Sequence, residues 1–357
     1  MNIAHVPRAA RSAGSIATVH TRNEPDEWTA VVDADDYAVP EQYPAWVAAM
    51  CADGQLEDAT RLYRFADGRT FVLPLVRRRG LAGLGGRYAA PATAWGIGGI
   101  AGTGLDHTVV DTIVADLRSL RAAQISIRPS PLRSSCYEAL TGRDVVAIPR
   151  RTHVIELTDP ATHLASLNKT TRKGIRRAEA AGVEVRVETS GRLLDVHYEL
   201  YLSSVRRWAE QQHEPLRLAR WRAVRRDPIG KLRTIAEHAG SRFRHLVAYV
   251  DGVPAASNLL LLGTTTRDTR GAMDRELAAS VHANDLLQWR SILEAYAHGS
   301  RWYNLGETGP SSALATFKER FGGQGLPYAE IRIERFPITT ADRTVRNGAK
   351  RLIGFRD

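Results

Sequence analysis

The sequence predicts an α/β protein with mixed sheets, divided into two lobes, and three observations lead there. The chain has 357 residues, more than one hydrophobic core usually serves, so two lobes of roughly 150 residues are expected. Strand and helix signals alternate along both halves. Hydrophobic residues make up 43% and charged residues 25%, the balance of a folded soluble chain rather than a disordered one. The first lobe is placed at residues 1–150, the second at 151–337, and a basic amphipathic helix at 338–357 is expected to pack back on the first lobe.

The elements follow from local pattern. Residues 44–51 (PAWVAAMC) have helical spacing. Residues 60–66 (TRLYRFA) alternate as a strand, Asp67-Gly68 is a turn pair, and residues 70–76 (TFVLPLV) complete a hairpin. A glycine-rich passage over 80–104 follows, then a helix at 109–122 and a short strand at 124–128 that Pro129 and Pro131 end. Residues 154–157 start a new unit. Asp159-Pro160 opens a helix that is read as running through Leu164 and Leu167 into NKTTRKGIRRAEAAG and stopping at Gly182. A strand at 183–187 and helices at 193–210 and 218–225 come next. Residues 245–250, the turn Asp251-Gly252 and residues 255–262 form a second hairpin, and residues 265–273 another strand. A helix at 283–298 is closed by Gly299; a strand at 301–305, a helix at 312–321 and a strand at 328–336 complete the lobe.

Composition excludes several classes. No apolar run approaches the ~20 residues that span a bilayer. The N-terminal residues 1–22 hold arginines with no apolar stretch behind them, which reads as a loosely held end rather than a signal peptide. Cys51 and Cys136 are far apart with no partner at ligand spacing, so neither a disulfide framework nor a metal site is expected, and a cytoplasmic location is the default. The net charge of +10 is concentrated: residues 169–233 carry 16 Lys or Arg against 8 Asp or Glu. Such density attracts phosphates on RNA or a nucleotide, or else is a solvated basic face.

The second half has a specific signature: a basic helix, a Val-Asp-Gly hairpin, HANDLLQWRSILEAYAHG (282–299), RWYNLGETG (301–309) and FKERFGG (317–323). This resembles the second GNAT lobe of the FemABX-like acyl- and aminoacyltransferases, clearly over residues 150–336. The first lobe matches only in its order of elements, as a degenerate GNAT copy. The resemblance implies tandem GNAT-like lobes and transfer of an acyl or aminoacyl group to an amine, an activity of EC class 2.3. The usual GNAT pyrophosphate loop, a Gly-rich turn whose backbone N–H groups bind phosphate, is absent before Asn284.

Amine acylation needs a neutral nucleophile, a stabilised oxyanion and a route for the proton. Lys318 occupies the lysine of the family's F-K-x-x-F-G segment, which the resemblance ties to acceptor or carbonyl binding; a solvated helix lysine is the other reading. Phe317 and Phe321, at i and i+4, share a face and read as packing or as substrate contact. Asp274 and Glu307 are the carboxylates assigned to the cleft, each otherwise a turn or capping residue. Arg206 and Arg207 fall where the family places a substrate-binding arginine, and guanidinium forks suit phosphate or carboxylate. Tyr249 offers a hydroxyl to an oxyanion unless simply half-buried. His282 offers an imidazole as a base, or is structural, since it opens a helix. Lys169, Arg172, Lys173, Arg176 and Arg177 form the candidate RNA- or phosphate-facing surface. The loop GIGGIAGTG (96–104) lacks the Gly-Lys-Ser/Thr ending of a phosphate-binding loop and reads as a connection.

The expected function is therefore an aminoacyl-tRNA-dependent aminoacyltransferase, making an amide bond on a small-molecule or peptidyl amine, as in antibiotic biosynthesis or cell-wall assembly. No cofactor is expected, with aminoacyl-tRNA as co-substrate. A coenzyme A-dependent N-acyltransferase, with acetyl-coenzyme A as donor, and a non-catalytic RNA-binding protein are the alternatives.

Overall fold

Residues 61–73 form the hairpin that the sequence predicts, with Leu62, Tyr63, Phe65, Phe71, Val72 and Leu73 buried. Arg61–Phe65 and Thr70–Leu73 pair antiparallel with Tyr63 opposite Phe71. Gly68 takes φ +90° at the turn and the Asp67 carboxylate accepts the Arg69 N–H at 3.0 Å. The computed structural model describes residues 14–21, 24–80, 85–120, 122–309 and 311–352, without the side chains of residues 312 and 349–352. Most of the N-terminal segment read as a loose end, residues 1–13, lies outside the described residues. The chain divides into two units, residues 1–151 with 326–341, and residues 152–325 with 342–357.

In the first unit, Ile16–His20 adds to the hairpin to make a three-stranded antiparallel sheet. A second sheet runs Glu57–Asp58, Val76–Arg78, Arg87–Ala90, Gln124–Ile127, and then the segment of Gln324–Glu334 from Leu326 onward. Helix His107–Arg118 buries Val109, Val110, Ile113, Val114 and Leu117, one apolar stripe at helical spacing. Asp106 caps it by accepting the Val109 N–H at 2.9 Å. The glycine loop is packed rather than loose. A Cβ at Gly96 would lie 2.4 Å from Glu41 Oε1, and one at Gly102 2.7 Å from the Thr70 carbonyl. Asp35 Oδ2 accepts the Gly102 N–H at 3.0 Å. Carboxylates against the loop oppose an anion there.

Among the described residues the second unit holds six strands in the order Val145–Glu156 (from Thr152), Trp302–Glu307, Thr265–Met273, Val253–Leu261, Phe243–Val250, Glu184–Glu188. Asp251 at φ +49° and Gly252 at φ +79° make the tight turn that the Asp-Gly pair specifies. Leu246, Ala248 and Val250 share a core with Leu286, Leu287 and Ile292 of helix Ala283–His298 and with Ile175 and Ala178 of helix Lys169–Ala180. The predicted long helix after Asp159 is two helices, Pro160–Ser166 and Lys169–Ala180. Leu167 is extended at ψ 147° and the Asn168 side chain accepts the Thr171 N–H at 2.8 Å, so a good N-cap restarts the helix where simple periodicity carried through. Helices Arg275–Ser280 and Ile229–Ala239 were not read separately from sequence. No helix of the described residues is long and apolar enough to cross a membrane.

The sheet face opposite helix Ala283–His298 carries a buried polar relay. His197 Nδ1 lies 2.9 Å from Ser257 Oγ, and His245 Nε2 lies 2.8 Å from the same oxygen. Burial pushes His197 down to about 3 and His245 down to about 4, so both rings are neutral at pH 7. Unfolded, both would protonate near 6.5. Their contribution to stability is present above that pH and lost as pH falls toward the folded values, about 1.4 kcal/mol for each unit of depression. The melting temperature is expected to fall between pH 6.5 and pH 4, and less steeply in His197→Asn; an equal slope in that variant would remove the relay as the cause.

Candidate functional site

Two strands of the second unit are parallel neighbours, and parallel pairs need a crossover, here helix Ala283–His298. Thr265–Met273 pairs with Trp302–Glu307 only from Thr265–Trp302 to Arg267–Asn304, after which both strands continue without pairing to each other. On its other edge, Asp268 pairs opposite Leu260 and Arg270 opposite Leu259. Thr269 is thus an extra residue, and its Oγ1 donates to the Leu259 carbonyl at 2.9 Å. Such a bulge re-aims the neighbouring side chain, and the neighbour is Asp268.

Around Asp268 a polar cluster is assembled from four elements. The Tyr303 hydroxyl donates to Asp268 Oδ2 at 3.3 Å and accepts from Gln288 Nε2 at 3.1 Å. Lys318, 5% exposed, donates its ammonium to the carbonyls of Gly306 at 2.7 Å and Glu307 at 2.9 Å. Desolvation pushes the Asp268 carboxyl up to about 6, with the Lys318 charge pulling the other way. Desolvation also brings Lys318 down to about 8, with Asp268 opposing. A carboxylate and an ammonium with values drawn toward neutrality, each the other's main counter-charge, are what acid–base work at pH 7 requires.

The F-K-E-R-F-G-G segment shapes this cluster residue by residue. Phe317 is half-buried with its ring centroid 5.2 Å from that of Phe321, which is fully buried. A Cβ at Gly323 would fall 2.7 Å from Leu305 Cδ1 and 2.8 Å from the Lys318 carbonyl. Gly306 bends at φ +80° and sits so close to the neighbouring strand that a Cβ would lie 3.1 Å from the Asp268 carbonyl. Asn304 Oδ1 secures that bend by accepting from Gly306 N at 2.8 Å and from Thr152 Oγ1 at 2.9 Å.

Other sequence-derived candidates lie elsewhere. Glu307 offers its carbonyl to Lys318 while its side chain is exposed. Asp274 is the N-cap of helix Arg275–Ser280, its Oδ1 accepting from Glu276 N and Leu277 N, both at 3.1 Å. It lies six residues along the strand from Asp268, about 20 Å at the strand rise. Arg206 is exposed; Arg207 is half-buried and donates to the Met273 carbonyl at 3.3 Å. Tyr249 is two strands away from Thr265–Met273, under the Arg186 guanidinium at 4.4 Å from its ring centroid. Lys169, Lys173, Arg176 and Arg177 are exposed along their helix, whereas Arg172 donates to the Ala165 carbonyl at 2.8 Å. Thus Lys318 and the Glu307 backbone are together, and Asp274 with Arg207 forms a separate group. Asp268, Gln288 and Tyr303 escaped the sequence reading. The only hint was a carboxylate in the middle of a strand pattern.

His282 and Asp285 belong to a clamp at the start of helix Ala283–His298. His282 adopts φ +60°, and its Nδ1 is 3.3 Å from Asp285 Oδ2. Arg320 donates to the same oxygen at 3.2 Å and to Thr171 Oγ1 at 3.1 Å. Three helices meet there, and a Cβ on Gly174 would be 2.5 Å from Asp285 Oδ2.

The comparisons with known proteins agree with this architecture. Residues 165–319 match the family model of the acetyltransferase (GNAT) domain. The crystal structure of FemX superposes with a TM-score of 0.64 at 13% identity, covering 88% of this chain and 96% of that one. The chain has a FemX-like GNAT fold. A conserved protein of unknown function from Bacteroides thetaiotaomicron superposes at 0.53 with 14% identity, over 89% of this chain and 99% of that one. No curated protein matches the sequence. Within this GNAT fold, the Asp268–Lys318 cluster lies just past the last paired residues of the two parallel strands.

Close approach at Gly174 gives a test of the clamp. Overpacking costs about 1–3 kcal/mol, against about 1 kcal/mol gained by alanine in a helix interior. Gly174→Ala is expected to lower the unfolding free energy by up to about 2 kcal/mol in denaturant titration. Stability higher by about 1 kcal/mol, the full gain in helix propensity, would show that Asp285 yields without cost.

Proposed function

We propose that this protein is an aminoacyltransferase that takes its aminoacyl group from aminoacyl-tRNA and forms an amide on a small-molecule or peptidyl amine. The observation that carries this is the Asp268–Lys318 pair beside the separating strands, held by Tyr303 and the Gly306 turn. Asp268 takes the proton that the attacking amine loses as its nitrogen bonds to the ester carbonyl carbon. Lys318 gives two N–H groups to backbone carbonyls and directs its charge and third N–H at the oxyanion of the tetrahedral intermediate. When that intermediate collapses, the ester C–O bond breaks and the proton passes from Asp268 to the departing ribose hydroxyl.

A coenzyme A thioester is the second reading, favoured by the acetyltransferase description of the matched domain. Against it stands the buried Asp285 carboxylate in the first turn of helix Ala283–His298, already joined to Arg320 and His282. An incoming pyrophosphate would meet that negative charge at the helix end whose dipole ordinarily attracts it. The donor assay decides: purified protein, an amine panel, and either a charged tRNA pool or acetyl-coenzyme A. RNase-sensitive transfer of a labelled amino acid is expected. Transfer from acetyl-coenzyme A alone overturns the reading.

The pH profile follows from the pair. The rate is expected to fall below about pH 6 as Asp268 takes its proton, and above about pH 8 as Lys318 loses one. Asp268→Asn keeps the shape and a hydrogen-bonding contact for Tyr303 but cannot accept a proton. It is expected to lower kcat by about 100-fold or more and abolish the acidic limb. A limb that survives assigns it to another group.

A further inference from the structure

One helix of the second unit carries charge that the proposed chemistry leaves unused. Leu216–Arg226 contains five arginines and no acidic residue. Two of the five are neutralised: Arg222 pairs with Glu214, and Arg226 with Asp227 at 3.0 Å. Arg217 and Arg220 are exposed and make no ion pair or hydrogen bond among the described residues. Arg225 instead lies over the ring of Trp221, 5.4 Å from its centroid. Trp221 is 58% exposed. Arg217, Arg220, Trp221 and Arg225 recur at i, i+3, i+4 and i+8, one helical face, while Ala219 and Ala223 are buried on the other.

We infer that this face is a docking platform for the RNA of the donor, with the arginines on phosphates and Trp221 stacking on an unpaired base. The inference rests on the tRNA-donor reading and adds where the RNA is held. Guanidinium groups without acidic partners, beside an exposed indole, are the chemistry of a single-stranded nucleic-acid surface, since every base has a face to stack and every nucleotide a phosphate. A lipid surface would call for a broad apolar stripe, whereas Trp221 and Val224 are the large apolar side chains this helix exposes among the described residues. The platform is tied to the reacting strand. Immediately after the helix, Asp227 Oδ1 accepts from Arg270 at 2.7 Å and from Lys231 at 2.9 Å, and Arg270 is two residues from Asp268.

The test is equilibrium binding of fluorescent deacylated tRNA by the full chain across a salt series. Arg217→Glu/Arg220→Glu/Arg225→Glu is expected to weaken binding at least tenfold and to flatten the salt dependence by about 2–3 in log–log slope. Trp221→Ala is expected to weaken it about fivefold or more with the slope unchanged. These side chains are exposed, and a melting temperature equal to the parent's confirms that each variant folds. If the parent binds tRNA and both variants bind equally well, the platform is overturned while the donor reading stands. The platform is likewise overturned if only Lys173→Glu/Arg176→Glu/Arg177→Glu loses binding. If the parent binds phosphatidylglycerol vesicles through this face and not tRNA, the inference falls. If the parent binds no tRNA and transfers from acetyl-coenzyme A, both fall together.

Discussion

A buried ammonium must have acceptors, and much of the second unit is arranged to supply them to Lys318. Two come from consecutive carbonyls of the Gly306–Glu307 bend, available because Gly306 adopts a backbone angle that side chains disfavour. The counter-charge comes from Asp268, turned by the extra residue Thr269 in its strand. Removing either the bend or the carboxylate leaves a charge in a poorly hydrated place, a far larger penalty than losing one surface contact. The parallel pairing of the two strands, the crossover helix that permits it, and Gly323, which lets the end of the Lys318 helix close on Leu305, all serve this requirement.

The same arrangement accounts for the polarity of the surrounding core. Gln288 and Ser291 are buried on a helix that otherwise packs leucine, isoleucine and alanine against the sheet. Gln288 reaches the Tyr303 hydroxyl and Ser291 accepts from Asn258. Each polar group is satisfied by a neighbour, which keeps the cluster ordered where half-satisfied groups would loosen it. On the opposite face the His197–Ser257–His245 relay is similarly enclosed, except that His245 Nδ1 has no hydrogen-bond partner among the described residues.

Much of the fold was legible because it is encoded locally. The Asp-Gly turns, the Asp159 cap and the hairpin of 245–262 all act within a few residues. The helix break at Leu167 was missed because the apolar spacing continues across it, and only the Asn168 cap betrays it. Of the candidate site, Lys318 stood out through its motif. Asp268 did not, because its importance comes from residues 20, 35 and 50 positions later in the chain (Gln288, Tyr303, Lys318). Nothing in TTRDTRGAM distinguishes an aspartate facing water from one facing an ammonium. Asp274, by contrast, looks functional at a strand end and spends its oxygen on two backbone N–H groups.

That spacing also governs how the molecule is made. Strand Thr265–Met273 is synthesised well before the helix that carries Lys318, and it cannot gain its parallel neighbour until residues 302–304 have followed. During translation, Asp268 is an ordinary solvated carboxylate on an unfinished sheet edge, and the edge beside it offers unpaired backbone groups to any passing strand. Pairing with Trp302–Glu307 covers that edge, and the FKERFGG segment then supplies the Lys318 charge beside the carboxylate. A ribosome-bound fragment ending before Lys318 therefore holds the Asp268 carboxylate without its cation.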